Sequence, residues 1–89
     1  MKILKIVYNN ETKFILDIIN NLPIKTYNEF YNIDLYKDKK RAIPIMTRFG
    51  TKQVPLVVIS NENLEEINAV WNEHSPNWEE DIIKLLNYD

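Results

Sequence analysis

The 89-residue chain is 45% hydrophobic and 27% charged, a balance and length that fit one compact domain and leave no room for a second. A formal net charge of −2 gives no general attraction to phosphate backbones, so nucleic acid is not an expected partner. Cysteine is absent, which excludes a disulfide framework, thiolate metal ligands and a thiol nucleophile. The apolar runs fall far short of the roughly 20 residues a membrane span needs, and no cleavable signal pattern opens the chain. The expected setting is the cytoplasm, away from any membrane.

Residues 2–8 carry Ile3, Leu4, Ile6 and Val7 nearly without interruption, the pattern of a short central strand covered on both faces. Asn9 and Asn10 are placed to cap a following helix, with Glu11 in its first turn. Phe14, Ile15, Ile18, Ile19 and Leu22 recur on that helix at helical spacing, and Pro23 ends it. Residues 27–35 alternate Tyr31, Ile33 and Leu35 with Asn32 and Asp34, which predicts an outer strand. Over residues 37–49, Ile45, Met46 and Phe49 have helical spacing and Gly50 supplies a stop, but Pro44 predicts either a helix start or a kink there.

Residues 54–59 form a second continuous apolar run, and residues 60–63 form a polar turn into a further strand through Ile67, Ala69 and Trp71. The last helix opens either on Ser75 and Pro76 or on a capping box of Asn77 and Glu80, and then places Trp78, Ile82, Leu85 and Leu86 on one face. The order is β-α-β-α-β-β-α, an α/β arrangement with a four-stranded mixed sheet flanked by helices.

That order resembles the minimal thioredoxin fold shared by glutaredoxins and small phage-type thioredoxins, over almost the whole chain. The stretch Phe49-Gly50-Thr51-Lys52-Gln53-Val54-Pro55-Leu56-Val57-Val58 is similar to the family's approach to its third strand, and Asp34 matches a common family position at the end of the second. The resemblance implies a cis bond before Pro55. A proline at the head of a strand gives up no ladder hydrogen bond, so Pro55 fits there in either isomer. Where the family places its cysteines, this chain has Tyr8-Asn9-Asn10-Glu11-Thr12-Lys13-Phe14, so thiol-disulfide exchange is excluded.

No substitute chemistry stands out. A Thr12 nucleophile needs an adjacent base, and His74, the single histidine, has no orienting acid; it reads as a surface residue and not a metal ligand. Lys37, Lys39, Lys40 and Arg41 read as a solvated face interrupted by Asp38. Glu65 with Glu66 reads as a solvated pair of acids, and Trp71 and Trp78 read as core before they read as binding anchors.

The resemblance therefore implies a binding or assembly protein without a cofactor. Its groove for a protein partner is expected from Tyr8, Asn9, Asn10, Glu11, Thr12, Val54 and Pro55. One alternative is a transfer enzyme acting on a glutathione-like molecule, suggested by Tyr8. Another is a phage accessory or minor virion protein, suggested by small size and absent cysteine. The outer strand near residues 64–71 allows a monomer or a weak homodimer through edge pairing.

Overall fold

The computed structural model describes residues 2–23, 27–61, 66–70 and 77–87, with the side chains of residues 66 and 67 outside that set. Four strands, β1 (Ile3–Tyr8), β2 (Glu29–Asp34), β3 (Leu56–Ser60) and β4 (Glu66–Val70), form a sheet in the order β2-β1-β3-β4. Three helices accompany them: α1 (Phe14–Asn20), α2 (Lys39–Arg48) and α3 (Trp78–Leu86). β1 pairs parallel to β2 and antiparallel to β3, and β3 pairs antiparallel to β4. Among the described residues no helix is long and apolar enough to cross a membrane.

The two continuous apolar runs are the two inner strands. Because successive side chains alternate between faces, Leu4, Ile6, Val57 and Ile59 point to one side, where they pack against Ile15 and Ile19 of α1 and Ile82, Leu85 and Leu86 of α3. Val7, Leu56 and Val58 point to the other, with Ile33, and are covered by Ala42, Ile45 and Met46 of α2. Burial on both faces accounts for the lack of polar alternation in these strands.

The ends of the helices differ from the sequence expectation in instructive ways. α1 stops at Asn20, ahead of Pro23, and Phe14 turns away from its core face to stand 46% exposed. α2 neither starts nor stops at Pro44 but runs through it from Lys39 to Arg48. Pro44 and Lys40 are both exposed, so water can reach the Lys40 carbonyl that Pro44 leaves without an amide partner. α3 uses the Asn77 cap: Asn77 Oδ1 accepts from the Glu80 amide at 3.1 Å, and Asn77 Nδ2 donates to Glu80 Oε2 at 3.1 Å. Ser75, Pro76, Trp71, His74 and Glu65 lie outside the described residues, as does the 62–65 turn.

α2 closes on a Schellman arrangement. The Gly50 amide donates to the Thr47 carbonyl and the Thr51 amide to the Met46 carbonyl, both at 3.1 Å, with Gly50 at φ +65°. A Cβ at Gly50 would meet nothing within 4 Å, so any penalty for a side chain there is a backbone one. Gly50→Ala is therefore expected to lower unfolding stability by about 1 kcal/mol in chemical denaturation. Ile6→Ala, which empties a fully buried site, is expected to cost about 2–5 kcal/mol in the same measurement.

Candidate functional site

The topology determines which loops meet. β2 ends at Asp34, opposite Tyr8, and β3 begins at Leu56, opposite Val7. The exit of β1 and the entry of β3 thus share one end of the sheet, with the segments on either side of Tyr8 and Leu56 brought together there.

On the β1 side the chain leaves through Asn9 in an extended conformation and makes a single 3₁₀ turn, Asn10–Thr12, before α1. Asn9 and Thr12 lock this turn reciprocally. Asn9 Oδ1 accepts from the Thr12 amide and the Thr12 hydroxyl, each at 2.9 Å, while Thr12 Oγ1 accepts from the Asn9 amide at 3.0 Å. The pair works as a capping box. It also decides the chemistry of Thr12: the hydroxyl proton points at an amide oxygen, which is no base, so the nucleophile reading has no support in the geometry.

On the β3 side, Thr51 is held by the Schellman bond and its Oγ1 accepts from the Gln53 amide at 3.0 Å. The following bond, Val54-Pro55, is cis, as the resemblance implied. Among the described residues, no loop, turn or cap hydrogen bond engages the main chain of Val54.

Between the two segments lies an open cleft of about 390 Å³. Asn9, Glu11 and Thr12 form one wall and Val54 and Pro55 the other, so five of the residues expected from the sequence come together here. Tyr8 and Asn10 do not line the cleft. Tyr8 continues the Leu4–Ile6 face and packs against the α1–α3 core, and Asn10 stands exposed on the turn.

Phe14, Lys52, Gln53 and Trp78 also line the cleft and were missed. Trp78 was read as core, and at 8% exposed it is core, yet its edge reaches the opening. The Asn77 cap that sets it at the head of α3 was the available signal. The walls carry opposite charges, Glu11 on one and Lys52 on the other. Among the described residues no three His, Asp or Glu side chains gather as a metal site would require.

No family model matches the chain, and no curated protein does. Among solved structures, the solution structure of a thioredoxin from Thermus thermophilus aligns with 96% of this chain and 70% of that one, with a TM-score of 0.58 at 7% identity. The fold is thioredoxin-like. Within it the chain has no cysteine, so the loop between β1 and α1 holds a capped polar turn.

Asp34, the other residue behind the resemblance, has a local task. Its Oδ1 accepts from the Tyr36 amide at 2.9 Å and the Lys37 amide at 3.2 Å, turning the chain from β2 toward α2. Replacing Asn9 by Ala removes both bonds that its side chain makes to Thr12 and is expected to cost about 1 kcal/mol of stability. Amide exchange should speed up at Thr12 while the β1 amides keep their protection.

Proposed function

We propose that the cleft between the Asn9–Thr12 turn and the Val54–Pro55 segment holds an extended segment of a protein partner, by main-chain and side-chain contacts and without a chemical step. The observation that carries this reading is the main chain of Val54, which has no loop, turn or cap hydrogen bond among the described residues, following a Thr51–Gln53 turn that is pinned. An extended peptide supplies donors and acceptors in a row, and its side chains alternate between the sides of such a cleft. Trp78 and Phe14 offer apolar contact, with the exposed Phe14 able to close over a bound chain. Glu11 and Lys52 set direction by charge.

The alternative of a glutathione-like transfer reaction drew on Tyr8. That ring packs against the core and lines no part of the cleft, and this reading is not favoured.

Selection of peptides from a displayed random library, followed by amide chemical-shift mapping on the whole chain, tests the proposal. The expected result is a selected peptide that shifts Asn9, Thr12, Gln53 and Val54. Glu11→Lys and Lys52→Glu should each weaken it about tenfold, the loss of one charge-assisted contact. Selected peptides that shift only other parts of the fold, at an affinity neither substitution alters, would overturn it.

A further inference from the structure

A second cleft lies on the α2 side of the sheet and shares no lining residue with the first. Alternation along the strands creates it. Ile3, Lys5 and Val7 of β1 lie on one face, and the parallel register sets Glu29, Tyr31 and Ile33 beside them in that order. Ala42, Ile45 and Met46 of α2 pack over the Val7 and Ile33 row. At the Lys5 and Tyr31 row a cavity of about 470 Å³ opens between helix and sheet.

Three cations, Lys5, Lys40 and Arg41, line this cavity, and Ile33, Pro44 and Ile45 give it an apolar lining beside the Tyr31 ring. Among the described residues no carboxylate lines it. Two acids on the flanking elements are engaged: Glu29 Oε2 accepts from the Tyr31 hydroxyl at 2.7 Å, and Asp38 Oδ2 accepts from Arg41 Nε at 2.5 Å. The first of these bonds, and then the Glu29 charge, raise the Tyr31 phenol from its ordinary value.

The cations are also gathered against local preference. Lys39, Lys40 and Arg41 fill the first turn of α2, which has no acidic residue, where the helix dipole disfavours positive charge. Lys40 makes no ion pair among the described residues. A bound anion would give Lys40 a counter-charge, and the apolar lining calls for a ligand with a hydrocarbon part.

The geometry points to a binding site for a small organic anion, with an aromatic or aliphatic body against Tyr31, Ile33 and Pro44 and one carboxylate, sulfonate or phosphate among Lys5, Lys40 and Arg41. The site is independent of the first cleft and shares no lining residue with it.

The probe is 8-anilinonaphthalene-1-sulfonate, titrated by fluorescence and by amide chemical shifts on the whole chain. The control is N-phenyl-1-naphthylamine, which has the same rings without the sulfonate. The expected result is saturable binding with shifts confined to Lys5, Tyr31, Ile33 and residues 40–45. The uncharged analogue and the Lys40→Glu variant should each bind about tenfold more weakly. Lys40 is exposed, so the variant is expected to keep the parent circular dichroism spectrum; Lys40→Gln serves as a second variant with a smaller loss. Equal affinity for the uncharged analogue, unchanged affinity in both folded variants, or shifts centred on Asn9 and Val54 would overturn the assignment.

Discussion

The structure depends on β1 being hydrogen-bonded on both edges and covered on both faces. Ile3, Leu4, Ile6 and Val7 are each at most 1% exposed, and burying such side chains is worth about 1.5–3 kcal/mol apiece. In a chain of 89 residues only β3, equally buried and also paired on both edges, makes a comparable contribution among the described strands. β1 also sets the direction of its neighbours, parallel to β2 and antiparallel to β3. This mixed pairing brings the end of β1 beside the start of β3, and the cleft between their loops exists because of it.

α2 meets a constraint that follows from the same pairing. β2 ends and β3 begins at one end of the sheet, so the connection must leave and return there while its helix crosses the face between. The Asp34 turn starts that path and the Gly50 Schellman bonds reverse it, after which Thr51 fixes the run into Val54 and Pro55. Pro44 is tolerable within the helix because it lies on the exposed side. The helix covers the Val7 and Ile33 row and leaves the cationic opening at the Lys5 and Tyr31 row, so the second cleft follows from where the crossover packs.

What was legible in the sequence was what burial dictates. A strand covered on both faces cannot alternate, so the apolar runs at residues 3–8 and 54–59 announce themselves, the second forming β3 two residues later, over Leu56–Ser60, with Ser60 in the strand and not the turn; the helical spacing of Trp78, Ile82, Leu85 and Leu86 marks the face of α3. Features set by loop geometry were not legible. Phe14 has the spacing of a core residue, but the 3₁₀ turn before it changes where α1 begins and leaves it at the cleft. Tyr8 was assigned to the groove from its nearness to the turn, although the period of two already puts it on the Leu4 and Ile6 face. Lys52 and Gln53 line the cleft because Thr51 is pinned on both sides, an outcome of long-range folding that no local pattern encodes.

The same hydrogen-bond accounting distinguishes the two walls of the cleft. On the β1 wall, where the resemblance would place a thiolate, the Thr12 hydroxyl both accepts from and donates to Asn9, and the turn is closed on itself. On the β3 wall the main chain of Val54 has no loop, turn or cap partner among the described residues. Thiol-disulfide exchange needs a thiolate on the first wall, which this sequence lacks. Holding an extended segment needs open donors and acceptors on the second, with apolar surface such as Phe14 and Trp78 between. Without cysteine the cleft cannot perform thiol-disulfide exchange, and what the fold supplies at this end of the sheet is an open space between the β1 exit and the β3 entry.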